Sequence, residues 1–353
     1  MASAMTGEGT WLEQARAAHW RGDDAGESAA LDAAIRADRA NIAAILAMAE
    51  LKRRLSDDRA AGSFYRLALG TAAQARSVPP ALHPGLQRAE VFLAATEQAF
   101  ADHLLGQLRG AGIDAAGATP RVAEALRMLA GDQPLYLQQP SMFYFPGLAQ
   151  RAFFDRADFD WVPAVEAATD AIRAELQALV ASTADRFGPY VTASPDRPPP
   201  NNPLLDKPDW GAAWLWKDGE IAEGMDMLCP EALAALAQAP QPVIPGRAPL
   251  ALFSRLKPGT HIQPHHGMLN TRLICHLPLI VPDGCGLRVG AETRVWREGE
   301  LTIFDDSFEH EAWNRGTSDR TVMLFEIWRP DIDADERDQL TRIFSAIDSY
   351  SEQ

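Results

Sequence analysis

The chain has 353 residues, more than one domain usually contains, and its formal net charge is −15. Nucleic acids and anionic membrane surfaces bind clustered lysine and arginine, so this charge argues against either as a partner. Three cysteines without a CxxC pair are too few for a disulfide scaffold or a structural zinc site. Residues 1–10 lack the basic start and apolar run of a secretory signal, so we expect a cytoplasmic protein.

The first third of the chain is rich in alanine and has helical periodicity. Apolar residues at helical spacing predict four short helices between Trp11 and Leu69, with a break at Arg21-Gly22-Asp23. A long helix over residues 84–108 and a short one over 119–129 follow. Paired short helices with small residues at their contacts are typical of tetratricopeptide-like repeats of about 34 residues. A plain helical bundle is the alternative.

The sequence changes character near residues 130–140, and two domains are predicted, 1–135 and 136–353. The second begins with an aromatic, extended run at 143–148, followed by helical periodicity over 160–187 and a proline-rich loop at 194–203. Trp210, Trp214 and Trp216 share the two-residue period of a strand. Their side chains are expected either to pack in the core or to form a wall that faces a substrate.

Short apolar segments separated by Gly, Pro and Asp turns follow Pro249 and predict an antiparallel sandwich or jelly roll. The predicted strands are 250–256, 271–281, 287–289, 293–296, 301–304, 310–314 and 321–328. Helices are predicted over 229–237 and 333–350. The fold class is therefore α+β: an all-α helical-repeat domain precedes a double-stranded β-helix (jelly-roll) domain with flanking helices.

Five of the eight histidines lie between residues 259 and 320. Gly259 precedes His265 by six positions and Gly299 precedes His310 by eleven, which is the glycine–histidine spacing of double-stranded β-helix metal proteins in general. Two imidazoles facing a cavity suit Fe(II) or another mid-series divalent ion. The usual third ligand is a carboxylate two residues after the first histidine, but that position is Gly267. The residues alone leave both metal binding and buried structural histidines open.

Residues 270–277 have a two-residue alternation. Asn270, Arg272, Ile274 and His276 fall on one face of the predicted strand, and Cys275 falls on the other. Because arginine and histidine seldom face an apolar core, we expect the first face to line the cavity.

The stretch from Ser254 to Pro330 resembles the catalytic domain of the aspartyl/asparaginyl β-hydroxylases, which are Fe(II)/2-oxoglutarate-dependent oxygenases. The most specific match is the run Phe304-Asp-Asp-Ser-Phe-Glu-His-Glu311, joined by Pro264-His-His-Gly267 and Asn270-Thr-Arg-Leu273. The animal enzymes also carry tetratricopeptide-like helices before this domain. The resemblance implies hydroxylation of an Asp/Asn-type side chain at the β-carbon. It implies Fe(II) as cofactor, 2-oxoglutarate and O₂ as cosubstrates, and succinate and CO₂ as coproducts. A peptide or protein is the expected substrate, with a small amino-acid derivative as the alternative.

The resemblance also implies roles for individual residues. His265 and His310 would bind iron, and Gly267 would leave a coordination position open for water. Ser254 and Arg320 would hold the distal carboxylate of 2-oxoglutarate.

The other end of the cosubstrate is less defined by the resemblance. His276 matches a residue near the metal-proximal carboxylate, but the animal enzymes have a second arginine where this sequence has Ile274. Either Arg272 or His276 takes over that contact, or the proximal carboxylate is held mainly by iron.

The remaining polar residues of this region receive structural interpretations. His261 is expected to be a turn or structural histidine, and His266 is expected outside the metal's ligand set. Asp305 and Asp306 are expected to shape and cap the turn before His310. Two other functions remain: a non-catalytic peptide-binding scaffold with a degenerate barrel, and a cupin-type metalloenzyme that does not use 2-oxoglutarate.

Overall fold

A computed structural model describes residues 7–113, 117–182, 186–193 and 198–351. The chain divides into two compact units, residues 1–134 and 135–353. The loop predicted at 194–203 lies partly outside the described residues. Among the helices described, none is both long and apolar enough to cross a membrane.

The N-terminal unit is helical throughout its described part. Its elements are α1 (Gly7–Trp20), α2 (Asp24–Ala37), α3 (Ile42–Arg54), α4 (Asp58–Gln74), α5 (His83–Gly110) and α6 (Pro120–Ala130), with a 3₁₀ turn at Pro80–Leu82. The side chains of Asp23, Asn41 and Asp57 accept hydrogen bonds from backbone N–H groups in the first turns of α2, α3 and α4. Helix α4 begins 34 residues after α2, the predicted repeat length; a tetratricopeptide assignment stays a prediction.

The C-terminal unit combines helices with short strands. Its helices are α7 (Val162–Ala167), α8 (Thr169–Ala181), α9 (Met225–Leu228), α10 (Pro230–Leu236) and α11 (Ala334–Ser351). Its strands are β1 (Phe153–Phe154), β2 (Gly188–Pro189), β3 (Trp210–Lys217), β4 (Glu220–Ile221), β5 (Ala251–Leu256), β6 (His261–His265), β7 (Arg272–Ile280), β8 (Cys285–Val289), β9 (Glu292–Arg294), β10 (Thr302–Phe304), β11 (His310–Asn314) and β12 (Arg320–Trp328).

The prediction of one helix over 160–187 was wrong. The helix is interrupted at Ala168, between α7 and α8. The Thr169 hydroxyl donates to the Glu166 carbonyl at 2.6 Å, a local bond that competes with helix continuation. The Glu166 carboxylate also accepts the backbone N–H of Leu301 and so ties this break to the sheet.

All strand pairs are antiparallel and form two sheets, as the jelly-roll prediction requires. The larger has the order β1-β10-β7-β12-β5-β3-β2, with β4 beside β3, and the smaller has the order β6-β11-β8-β9. Strand β6 was not predicted. It carries Gln263 and Pro264, which weaken an apolar strand pattern, and it lies at a sheet edge, where proline is tolerated.

The larger sheet buries both of its faces. Phe253, Cys275 and Phe325 point to one side, where they share a core with the helices α7, α8 and α10. Leu252, Ile274 and Leu324 point to the other side and pack with residues of the smaller sheet. The functional side chains follow this second alternation, so the fold directs them into the space between the sheets.

Candidate active site

A cavity of about 310 Å³ lies between the two sheets and gathers most of the predicted site residues. Those that line it are Ser254, His265, His266, Gly267, Arg272, Ile274, His276, His310 and Arg320. Apolar walls come from both sheets, with Leu324 and Phe304 on the larger and Ile262 and Leu287 on the smaller. Residues separated by more than 60 positions in sequence therefore meet in one space.

His265 and His310 form a pair on the adjacent strands β6 and β11. They are directly opposite each other in the β6–β11 register, and their ring centroids are 4.1 Å apart. The Nδ1 atom of His265 lies 2.8 Å from the Gln263 carbonyl, and that of His310 lies 3.0 Å from the Phe308 carbonyl. Because a carbonyl only accepts, each Nδ1 carries the proton, and each Nε2 keeps a lone pair for a metal.

Burial keeps His310 in the form that binds metal. It lowers the pKa of His310 to about 3, and the neighbouring His265 acts in the same direction. The imidazole is therefore neutral at physiological pH and can coordinate without first losing a proton.

Gly267 occupies the position of the third ligand in a two-histidine, one-carboxylate metal site. The side chain of Asp306 fills the space beside it. A Cβ atom added to Gly267 would lie 2.2 Å from the Oδ2 atom of Asp306. The backbone N–H of Gly267 donates to the Asp306 carbonyl at 2.6 Å, which holds the two residues together. A carboxylate thus occupies this corner of the cavity, but it comes from residue 306.

Asp305 and Asp306 lie at the turn before His310, as predicted, but the two carboxylates have different surroundings. The carboxylate of Asp305 accepts bonds from the backbone N–H and the hydroxyl of Ser307, and it pairs with buried Arg329 at 2.5 Å. The Asp306 side chain lines the cavity.

Arg320 is a buried cation at the closed end of the cavity. Its side chain is 1% exposed, and its guanidinium stacks 4.4 Å above the Trp296 ring and donates weakly to the Ser254 carbonyl. No carboxylate pairs with it among the described residues. Burial lowers the pKa of Arg320 to about 10, so it remains charged at neutral pH.

Ser254 lies beside Arg320 with a hydroxyl proton to donate. Its Oγ accepts a 3.1 Å bond from the indole N–H of Trp210, so the hydroxyl proton points elsewhere. Tyr190 stacks on Trp210 at 4.0 Å, and both line the cavity. Trp210 was predicted as core or substrate wall; it is buried and lines the cavity, and contact with a substrate stays a prediction. Tyr190, Trp296 and Asp306 were missed as site residues.

Arg272 lies in the cavity but is already paired. Its guanidinium contacts the carboxylate of Glu326 and lies 3.5 Å from that of Asp306. Burial lowers the pKa of Arg272, but these two carboxylates outweigh that effect and hold the pKa above its usual value. A contact between Arg272 and the cosubstrate therefore competes with two ion pairs and stays a prediction.

His276 lies between Arg320 and the histidine pair. It is 6% exposed, and burial, with Arg320 acting in the same direction, lowers its pKa well below the usual value. Its Nδ1 atom has no hydrogen-bond partner in the described structure. Neutral His276 can thus donate one hydrogen bond to a ligand in this part of the cavity.

Several predicted residues lie outside the cavity. His261 pairs with Glu311 at 2.6 Å on the outer face of the smaller sheet. Glu311 and Glu309 both contact Arg288, so they are structural partners. Asn270 is fully buried. Its side-chain amide accepts a hydrogen bond from the backbone N–H of Phe145 and donates one to the Phe145 carbonyl.

The polar atoms of this cavity fit a bound metal and an acidic ligand. Buried side-chain polar atoms usually have a partner, yet Arg272 Nε, His276 Nδ1, Asp306 Oδ1 and Arg320 Nε lack one among the described residues, and all four side chains line this cavity. No group of three or more His, Cys, Asp or Glu side chains in the described structure could hold a metal alone. The side chains that would hold a metal here are the two imidazoles, and further positions would remain for ligands that are not side chains.

Comparison with known proteins points to one family. Residues 166–330 match the family model described as Aspartyl/Asparaginyl beta-hydroxylase. The aspartyl/asparaginyl beta-hydroxylase of Homo sapiens is 36% identical over 146 residues, which are 41% of this chain and 19% of that protein. The human aspartate beta-hydroxylase domain-containing protein 2 is 30% identical over 59% of this chain and 56% of its own length.

A bacterial relative is similar over a comparable part of the chain. The ornithine lipid ester-linked acyl 2-hydroxylase of Rhizobium tropici is 33% identical over 50% of this chain and 60% of its own length. The chain thus spans between about a fifth and three fifths of these three relatives.

Proposed function

We propose that this chain is an Fe(II)/2-oxoglutarate-dependent hydroxylase, since its C-terminal unit belongs to the aspartyl/asparaginyl β-hydroxylase family. The observation that most supports this function is the cavity that the predicted metal and cosubstrate residues share. Two imidazoles whose Nδ1 atoms contact backbone carbonyls face the same space as a buried arginine that has no carboxylate partner among the described residues.

His265 and His310 would hold the iron. Bound iron with 2-oxoglutarate and O₂ supplies an oxidant strong enough to hydroxylate an unactivated C–H bond. Asp306, beside Gly267, faces the same space and can accept a hydrogen bond from a water molecule there. The protein's own contribution is to fix this geometry and to exclude bulk water between the two sheets.

Arg320 would pair with the distal carboxylate of 2-oxoglutarate. A carboxylate there would receive charge-assisted bonds from the guanidinium and a bond from the Ser254 hydroxyl. Trp296 below the guanidinium and Trp210 behind the hydroxyl fix both donors before the ligand arrives. His276, which is neutral, would donate to the cosubstrate nearer the metal without adding charge.

The substrate would be an Asp/Asn-type side chain of a peptide or protein, hydroxylated at the β-carbon. The names of the human relatives support this class. A non-catalytic scaffold is disfavoured because it has no need for a buried, unpaired arginine, which destabilises a fold unless a ligand meets it. A cupin that does not use 2-oxoglutarate is disfavoured for the same reason.

Anaerobic titration of the Fe(II)-loaded chain with 2-oxoglutarate tests the proposal. Chelation of the keto acid by the metal is expected to produce a charge-transfer absorption band in the visible range. Iron binding without this band, in a protein that also forms no succinate in air, would contradict the proposal.

A further inference from the structure

The two predicted metal ligands lie at an irregularity in the pairing of β6 with β11. His265 is opposite His310 and Ile262 is opposite Ala312, so three steps along β6 correspond to two along β11. Pro264 lies within this interval and has no backbone N–H to donate. Ladder hydrogen bonds are disrupted at such a bulge, so backbone pairing holds the two histidines only weakly relative to each other.

A chain of side-chain contacts spans this irregularity. The Gln263 amide lies 3.1 Å from Nδ1 of His261, and Nε2 of His261 lies 2.6 Å from the Glu311 carboxylate. Arg288 on β8 donates to the Glu311 carboxylate and, at 2.8 Å, to that of Glu309. None of these side chains lines the metal cavity. We call them the Arg288 network.

The two ends of the Arg288 network are the peptide groups that contact the metal ligands. At one end, the carbonyl of Gln263 lies 2.8 Å from Nδ1 of His265. At the other, the peptide that joins Phe308 to Glu309 contains the carbonyl that lies 3.0 Å from Nδ1 of His310. Because a carbonyl only accepts, each contact favours the tautomer with the proton on Nδ1 and a lone pair on Nε2 for a metal. The network is therefore placed to set the direction of both imidazoles.

Arg288 is the member on which the Arg288 network depends. Its side chain is 17% exposed and also donates to the Gly290 carbonyl at 2.8 Å. Its planar guanidinium can meet two carboxylates at once, which a flexible lysine does less well. Without Arg288, the carboxylates of Glu309 and Glu311 would repel each other. That repulsion would displace the backbone between them, which carries His310.

We propose that the Arg288 network positions the two metal-binding histidines, and that Arg288 raises the affinity of the site for its metal without touching the metal. The inference rests on the proposed function, which identifies His265 and His310 as the ligands. Arg288 and His261 are then positioning residues that act through the peptides in contact with the imidazoles.

The test compares the Arg288→Met variant of the full chain with the wild type in two measurements. In the metal-free protein, ¹⁵N NMR at about pH 8, where an ordinary histidine is neutral, distinguishes the two imidazole tautomers. The wild type is expected to hold His265 and His310 with the proton on Nδ1, and Arg288→Met to shift at least one of them toward the Nε2–H form. The Kd for Co(II), followed by its visible absorption, is expected to rise at least about tenfold, the usual cost of losing a contact that orients a ligand.

Arg173→Met is the matched control. Arg173 is 25% exposed, contacts the carboxylates of Asp170 and Glu298, and donates to a backbone carbonyl, so its partners resemble those of Arg288. It lies on α8, which packs against the face of the larger sheet that points away from the cavity. Its loss should leave both tautomers unchanged and the Co(II) Kd within about threefold of the wild type, because distant sites act independently.

His261→Leu interrupts the Arg288 network at a side chain that is 37% exposed and is expected to weaken Co(II) binding in the same direction. The inference is overturned if Arg288→Met leaves either the tautomers or the Kd unchanged, or if Arg173→Met alters them equally. If Arg288→Met does not fold, an unchanged Kd in His261→Leu overturns it. The proposed function fails, whatever the variants do, if the wild type binds Co(II) but 2-oxoglutarate leaves the Co(II) absorption unchanged.

Discussion

Replacing Arg320 with methionine is expected to stabilise the ligand-free protein and to abolish binding of 2-oxoglutarate. Burial lowers the pKa of Arg320 to about 10. At about 1.4 kcal/mol per pKa unit, this corresponds to roughly 3 kcal/mol by which the fold disfavours the charged group. The penalty is present at every pH below about 10, where the arginine is protonated. Stacking on Trp296 offsets about 1–2 kcal/mol of it, so a net gain of about 1–2 kcal/mol is expected for methionine.

Denaturant unfolding followed by tryptophan fluorescence measures this difference, because seven of the nine tryptophans lie in residues 135–353. In the presence of Mn(II), 2-oxoglutarate at about 100 times its Kd should add about 2.7 kcal/mol to the wild type and nothing to the variant.

Arg329→Met is the matched control for Arg320→Met. Arg329 is equally buried, but it pairs with Asp305, so its loss should cost about 3–5 kcal/mol and leave the 2-oxoglutarate Kd within about threefold of the wild type. The reasoning is refuted if Arg320→Met destabilises the ligand-free protein as Arg329→Met does, or if 2-oxoglutarate still stabilises Arg320→Met.

Three further predictions concern the metal end of the cavity. His310→Ala should abolish the charge-transfer band and substrate-independent succinate formation, whereas His266→Ala should keep both; equal loss in the two would refute the ligand assignment. Gly267→Ala should weaken Fe(II) binding at least about tenfold, because the added Cβ displaces the Asp306 carboxylate; unchanged affinity by metal titration would contradict this. The lowered pKa of buried His276 means that the unfolded chain binds the proton more tightly. The metal-free protein should therefore lose stability as pH falls below about 6.5, with this histidine contributing up to about 1.4 kcal/mol per pH unit, and His276→Asn should make the unfolding free energy less dependent on pH.

Much of the fold could be predicted because its elements have clear local patterns. The N-terminal helices begin after Asp23, Asn41 and Asp57, which are strong capping residues, and their apolar residues recur at helical spacing. The buried strand β7 is apolar on one face throughout, and β12 is apolar on one face beyond Thr321. Strand β6 was missed because it is an edge strand with three exposed residues and has little local pattern.

The site could be predicted where polar residues that are uncommon in a strand, such as arginine and histidine, occur close together in the sequence. Alternation along β7 predicted that Arg272, Ile274 and His276 share a face, and the structure places all three in one cavity. Alternation cannot predict which ion pairs form across strands. The partner of Arg272 is Glu326, 54 residues away in sequence, so only the folded register shows that this arginine is compensated.

The relation between Gly267 and Asp306 explains how a site with a glycine at the ligand position can work. A side chain at 267 and a carboxylate at 306 exclude each other, since the added Cβ would overlap Asp306 Oδ2. The carboxylate at 306 is not free, because Arg272 lies 3.5 Å from it. A carboxylate that is neutralised by an arginine is a weaker donor to a metal than an unpaired one, but it still accepts hydrogen bonds from water. Under the proposed function, the arrangement would favour a water molecule in the coordination position and Asp306 as the residue that orients it.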